Sequence, residues 1–396
     1  MDALSKLLTL PAAEKEARGA LHTPREISQQ PETWHRSYGE LLRSAPAVGE
    51  FLVRAGLGRD ARHRPAVLLV GAGTSDYIGK SLVALLQREW ACAVQAVPST
   101  DLLTNADELV LPGRDYLWIS FSRSGDSSEG VAVLEAAANR YPLIHHIVVT
   151  CNEHGRMARD FGGRENFCRI ILDDEVNDRG LAMTSSFSNM VVAGHYLAHL
   201  RDLEAYGERL NVMAAAARKL LPAAADVCER LVRDGFSKVC FLGAGALNAV
   251  AIESGLKVLE LTAGRIVTFA ESFLGFRHGP LSAIDDDTLL VGFLSGDARR
   301  RAFELDLLEE ICDKRLTQKC LVVLPAGAGE KEAAERAKDA ILLDFGRGID
   351  DVYRPPVDVI VGQLLGLFSS LHGGLKPDAP SPRGAISRVV SHVKIY

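Results

Sequence analysis

Ten short runs rich in Val, Ile, Leu and Phe recur along the chain, separated by stretches with apolar residues every three or four positions. Five are "AVLLV" (66–70), "VQAV" (94–97), "DYLWISF" (115–121), "HIVVTC" (146–151) and "CRIILD" (168–173). Five more follow: "KVCFLG" (238–243), "RIVTFA" (265–270), "DTLLVGF" (287–293), "CLVVLP" (320–325) and "AILLDF" (340–345). Runs of this kind read as strands and the intervening stretches as helices. Most of the runs are apolar throughout instead of alternating, so both faces of each sheet must be covered. That is the pattern of parallel strands joined by helical crossovers, and it predicts an α/β protein.

The two sets are in register. "LVGAGTSD" at 69–76 and "FLGAGALN" at 241–248 are separated by a shift of 172 positions, and the same shift carries the second and third runs of one set onto those of the other. "SGD" at 124–126 answers "SGD" at 295–297, one residue short of that shift. Spacing kept through three strands predicts a tandem duplication of one unit with a five-stranded parallel sheet. Helical patterns cover roughly 24–56, 186–233 and 356–371, the last preceded by proline and followed by a Gly/Pro-rich tail. The expected division is an N-terminal helical segment (1–40), a first unit (41–215), a second unit (216–375) and a tail closing over the site (376–396).

Composition narrows the function. The 396 residues carry a net charge of −6 with no basic block, which argues against a nucleic-acid partner. No apolar run approaches the ~18 residues that cross a membrane. The opening "MDALSKLLTLPAAEKEARG" lacks a secretory pattern, so the expected compartment is the cytoplasm. The seven cysteines form no CxxC pair, and the "HH" at 145–146 has the wrong spacing for a helical metal site. Neither a metal nor a disulfide framework is expected.

Both "GAG" turns join a strand to a helix. Neither completes GxGxxG, and neither second run ends on an acidic residue, so a dinucleotide is rejected. "WISFSRSGDSSEG" (118–130) carries a stronger signal. Phe121 closes a strand and Glu129 opens a helix, which places Ser122 to Ser128 at a helix N-terminus, where free N–H groups and the helix dipole favour an anion. Ser122, Ser124 and Ser127 add neutral donors suited to a phosphomonoester, and the lysine of a nucleotide-binding P-loop is missing. Simple helix capping is the alternative, but one hydroxyl would satisfy it. The second copy, "FLSGDARR", has lost most of these hydroxyls.

What the second copy has instead is "LNAVAIESGLKVLEL", which puts Glu253, Lys257 and Glu260 on one helical face. Such a face is either solvated or, as the apolar surroundings here suggest, buried, and buried carboxylates beside a lysine can serve as acid and base. In "ESFLGFRHGPLSAID", His278 stands in a turn between the second and third strands, either as a bystander or as a proton shuttle near neutral pH.

"GAGTS", "SFSRSGDSSE", "RGLAMTSSF", "AIESGLKVLE" and "FRHGPLSAID", in this order over residues 40–390, resemble the tandem sugar isomerase (SIS) family. The chain is similar to the isomerase half of glucosamine-6-phosphate synthase. Its length, its "HTPREISQQPETW" (22–34) and its "VVSHVKIY" ending most resemble the AgaS-type galactosamine-6-phosphate deaminase/isomerases. The resemblance implies two flavodoxin-like, three-layer αβα units. It implies that Ser75, Ser122, Arg123, Ser124 and Ser127 cradle a sugar phosphate, with Arg123 standing where the synthase type prefers glutamine. Leu181, Met183 and Thr184 would line the sugar; Glu260 would move a proton between C1 and C2, supported by Glu253 and Lys257. His278 would open the ring from a neighbouring subunit, which implies a homodimer.

Two departures follow. No glutaminase segment with an N-terminal cysteine precedes the units, so ammonia is not expected to come from glutamine. Ser387 and Arg388 stand where the synthase type carries a lysine; Arg388 would do a related job in binding the substrate, although arginine can neither form a Schiff base nor act as a base at neutral pH. The implied reaction, without metal or cofactor, is hydrolytic deamination coupled to aldose–ketose isomerisation, D-galactosamine 6-phosphate giving D-tagatose 6-phosphate and ammonia. An isomerase that releases no ammonia and a non-catalytic sugar-phosphate sensor are the alternatives.

Overall fold

A computed structural model describes residues 1–338, 340–390 and 393–395. It contains two five-stranded, wholly parallel sheets. In the first, β1 (Ala66–Gly71), β2 (Val94–Pro98), β3 (Tyr116–Ser122), β4 (His145–Thr150) and β5 (Phe167–Ile171) run in the order β2-β1-β3-β4-β5. In the second, β6 (Lys238–Leu242), β7 (Val267–Glu271), β8 (Thr288–Phe293), β9 (Lys319–Pro325) and β10 (Ile341–Phe345) run β10-β9-β8-β6-β7. These are one topology used twice. Even the register is kept: Ala66 pairs with Tyr116, and Lys238 and Thr288, each 172 positions on, pair with each other.

The strands that read as continuous apolar runs, β1, β3 and β8, are buried at every position. The edge strands β2 and β7 are only partly covered. β7 runs one residue beyond its apolar run, so it does end on an acidic residue, Glu271. That carboxylate accepts the N–H and hydroxyl of its neighbour Ser272 at 2.7 and 3.2 Å, a local turn contact.

By contacts the chain divides into two compact units whose boundaries are not linear in sequence. One comprises 32–177, 185–208 and 387–396; the other comprises 1–31, 178–184 and 209–386. The first unit carries α1 (Gln30–Leu52, from residue 32 on), α2 (Thr74–Trp90), α3 (Ser99–Leu109), α4 (Ser128–Arg140) and α5 (Ser185–Ala198). On one face of its sheet, Leu68, Val70 and Trp118 pack with Leu102 of α3 and with Val133 and Ala137 of α4. The other face meets α2, on which Gly79 lies so close to Leu69 that a Cβ would come within 3.0 Å of that side chain. Helices thus cover both faces, as the apolar strands require.

The second unit carries most of α6 (Leu203–Asp234), α7 (Ala246–Leu261), α8 (Ala298–Asp313) and α9 (Pro355–His372), together with short N-terminal helices that include Thr23–Ser28. Leu242, Leu290, Val322 and Leu324 pack with Leu305, Leu308 and Ile311 of α8. α7 and α9 meet through small residues: a Cβ on Gly362 would lie 2.3 Å from the Ser254 side chain. This close contact seals the helix face on which Lys257 stands. Among the described residues no helix is long and apolar enough to cross a membrane.

Candidate functional site

In an open parallel sheet the ligand crevice lies outside the carboxyl ends of the strands, where the strand order reverses. In the first unit that point falls between β1 and β3, so the turn after β1 and the loop after β3 leave adjacent strands at the same end. The β1 turn is built on Gly71 and Gly73. A Cβ on Gly71 would lie 2.3 Å from the Ser75 backbone, and Gly73 has φ +57°. Ser75 sits buried in the first turn of α2.

The β3 loop, 122–127, is held from several directions. The Ser122 hydroxyl accepts the Gly125 N–H at 3.1 Å, and the Ser124 hydroxyl accepts that of Asp126 at 3.2 Å. A hydroxyl that accepts a loop N–H keeps its own proton to donate. Asn152 fixes the loop from β4's side by donating to the Ser124 carbonyl at 2.8 Å. The Asp126 carboxylate takes the Arg156 N–H at 2.9 Å and is thereby engaged by the 152–156 loop. Ser127 is the N-cap of α4, yet among the described residues its side chain makes no capping bond.

Arg123 is buried and donates to the Arg388 carbonyl at 2.5 Å. The Arg388 guanidinium in turn reaches the Asn177 side-chain oxygen at 2.6 Å, and the Val390 carbonyl accepts the Ser128 N–H at 3.2 Å. The tail segment 387–390 therefore lies on the hydroxyl loop. Ser391, His392 and Tyr396, also part of the tail, lie outside the described residues. Ser75, Ser122, Arg123, Ser124, Ser127 and Arg388 all belong to this unit.

In the second unit Glu253, Lys257 and Glu260 form a chain on one face of α7. Lys257 is fully buried, with its Nζ 3.2 Å from the equally buried Glu253 carboxylate and 2.7 Å from that of Glu260. Burial alone would lower the lysine pKa, but the two carboxylates outweigh it and hold the ammonium above its ordinary value. The Glu260 side chain keeps 23% of its surface exposed. The result is a carboxylate aimed by a buried cation and still open to a substrate.

Leu181, Met183 and Thr184 lie in the irregular 178–184 segment of the same unit. Leu181 and Met183 are half-buried, whereas Thr184 is fully buried and spends its N–H and hydroxyl on Asp178 at 2.8 and 2.9 Å. His278 is exposed after the Phe273–Phe276 turn of helix. Among the described residues no hydrogen bond or ion pair joins it to Glu253, Lys257 or Glu260.

The second unit's own switch-point loop is occupied by the protein itself. Asp351 accepts the Ser295 hydroxyl, the Gly296 N–H at 2.9 Å and an Arg300 N–H at 3.1 Å. The buried Arg354 guanidinium, which bonds the Leu294 carbonyl at 2.6 Å, pairs with Asp351 at 2.9 Å and with Asp358 at 2.6 Å. Asp297, the N-cap of α8, accepts the Arg300 N–H at 2.9 Å. Sequence reasoning could not find Asp351, which lies 56 positions beyond Ser295 and carries no motif.

A SIS domain model matches residues 62–200. The D-galactosamine-6-phosphate deaminase AgaS of Escherichia coli is 36% identical over 375 residues, which cover 94% of this chain and 95% of that protein. The solved tagatose-6-phosphate ketose/aldose isomerase of Escherichia coli superposes with a TM-score of 0.84 at 32% identity, covering 94% of this chain and 96% of that one. The C-terminal domain of glucosamine-fructose-6-phosphate aminotransferase from Francisella tularensis shares the fold, with a TM-score of 0.74 at 20% identity over 89% of this chain and 96% of that one. With such identity held across nearly its whole length, the chain belongs to the SIS-domain sugar isomerase family, in the AgaS branch.

Proposed function

We propose that the protein deaminates and isomerises an amino-sugar 6-phosphate, converting D-galactosamine 6-phosphate to D-tagatose 6-phosphate and ammonia. The observation that carries this reading is the Glu260 carboxylate, bound at 2.7 Å to a fully buried lysine and still partly exposed. Such a group can take a carbon-bound proton and return it. The 122–127 loop, with Ser75, supplies hydroxyl and N–H donors for the phosphate, and a non-reacting phosphate held there orients the sugar for the chemical step. The half-buried Leu181 and Met183 line the sugar, and the fully buried Thr184 fixes the chain behind them. The exposed His278 acts from a neighbouring subunit of a homodimer, passing a proton between the ring oxygen and O1.

Glu260 then removes the C2 proton of the open aldose and delivers it to C1, while O1 gains a proton and the amine nitrogen gives one up, leaving an imine at C2. Water adds to that imine, the C–N bond breaks, and ammonia leaves a ketose phosphate. In this scheme Lys257 orients Glu260 without attacking the sugar, the 387–390 segment braces Arg123, and the enzyme works in the cytoplasm, where phosphorylated sugars are retained.

The test is direct. Purified protein given galactosamine 6-phosphate should release ammonia and ketose phosphate in equal amounts, and Glu260→Gln should lower kcat by roughly 10²–10⁴-fold. Ketose formation from sugar phosphates without ammonia would replace the deaminase by a plain isomerase. Binding without any turnover would leave a sensor.

A further inference from the structure

The segment assigned to the sugar, 178–184, has no regular structure of its own, so its course must be imposed from outside. The 22–34 stretch supplies the means. Glu26, 5% exposed on the Thr23–Ser28 helix, accepts the Arg179 N–H at 2.5 Å and the Gly180 N–H at 3.2 Å. Gly180 has no room for a side chain, since a Cβ would meet the Thr23 hydroxyl at 2.7 Å and the Glu26 carboxylate at 3.0 Å. The next N–H, that of Leu181, goes to the Asp378 carbonyl at 3.0 Å. The Asp378 carboxylate gathers the N–H groups of Leu21, His22 and Thr23 at 2.8, 3.1 and 2.8 Å. The Thr184 carbonyl is met by Gln363 at 3.4 Å, and Gln363 is held by Gln30 at 2.8 Å.

We propose that Glu26 is a positioning residue for the reaction: by capping the 179 and 180 peptide N–H groups it sets the path of the chain through Leu181, Met183 and Thr184. The proposal rests on the reading of those three residues as the sugar-lining segment. Burying a carboxyl beside two other acids is unfavourable. Burial first, and then Asp178 and Asp378, push Glu26 up to about 8 against the pull of its two N–H donors. Glutamine keeps a side-chain oxygen to accept these N–H groups and is its nearest uncharged mimic. An apolar side chain here would leave the 179 and 180 N–H groups without their acceptor. A carboxyl kept here at that cost points to the loop backbone it holds.

The experiment compares Glu26→Ala, Glu26→Gln and Met183→Ala, using galactosamine 6-phosphate for kinetics and inorganic phosphate for binding. Glu26→Ala should lower kcat/KM by ~10- to 100-fold through KM, with the Kd for inorganic phosphate unchanged. Glu26→Gln should restore most of that loss. Should Glu26→Ala fail to fold, Glu26→Asp, one methylene short of the loop, should show the same KM defect. A folded Glu26→Ala or Glu26→Asp protein with unaltered KM overturns the proposal. If Met183→Ala also leaves KM unaltered, the sugar-lining reading fails instead.

Discussion

The two copies of the SGD loop, 122–127 and 294–297, descend from one sequence pattern and stand at the same switch point of the same topology, yet their donors face different demands. In the first copy, Ser122 and Ser124 accept loop N–H groups and keep their hydroxyl protons to give. In the second, the Ser295 hydroxyl accepts the Asp297 N–H at 3.0 Å and has already given its proton to Asp351. An anion site needs donors without an internal acceptor. The second loop has the donors and also the acceptor, so it is a closed ion-pair cluster. Duplication preserved the fold, while one carboxylate closed the second loop and left the hydroxyl donors of the first unspent.

The largest test of this contrast is Asp351→Ala. It strips a buried arginine of one of its two carboxylates and leaves the Ser295 and Gly296 donors unmet. The expected loss is roughly 3–5 kcal/mol of stability by urea unfolding, partly restored by added phosphate occupying the vacated loop. Unchanged stability would show that the carboxylate is not what closes the loop. Next in size is the pair Ser124→Ala and Ser295→Ala. The first should raise KM for the sugar phosphate by ~10- to 100-fold, through loss of a bond to a charged group, and the second should leave KM alone. Equal effects on KM would erase the functional difference between the copies.

The smallest test concerns the caps. Asp297→Ala should lower Tm by at most a few degrees, because its carboxylate caps α8, whereas Ser127→Ala should leave Tm unmoved. Hydrogen bonding to the Arg300 N–H holds the Asp297 carboxyl below its ordinary value of 3.8, so its contribution is present above that pH and is lost as acid protonates it. The Tm difference between the two variants should shrink accordingly in acid. A difference that persists there would assign the effect to helix propensity.

Much of this was legible in the sequence, for physical reasons. Buried parallel strands must be apolar on both faces, so β1, β3, β6, β8 and β9 announce themselves, and the 172-residue shift follows. The α7 triad was readable because Glu253, Lys257 and Glu260 interrupt an otherwise apolar helix at helical spacing. The contacts that assign the ends of the chain were not readable. Asp378 binding backbone at 21–23, and Glu26 binding backbone at 179–180, are side-chain-to-peptide bonds across more than 150 positions that leave no periodic trace. For the same reason a linear division could not foresee that 1–31 and 178–184 group with the second sheet. The acidic end of β7 was missed because Glu271 extends the ladder beyond its apolar run.

The seal that α9 places over α7 also bears on side reactions. Open-chain sugars glycate unprotonated, accessible amines, and an enzyme that opens sugar rings exposes its own lysines to its substrate. Lys257 has no accessible surface and is held in the ammonium form. It should therefore stay unmodified by aldehydes and by amine-labelling reagents at neutral pH, while lysines on the surface are consumed.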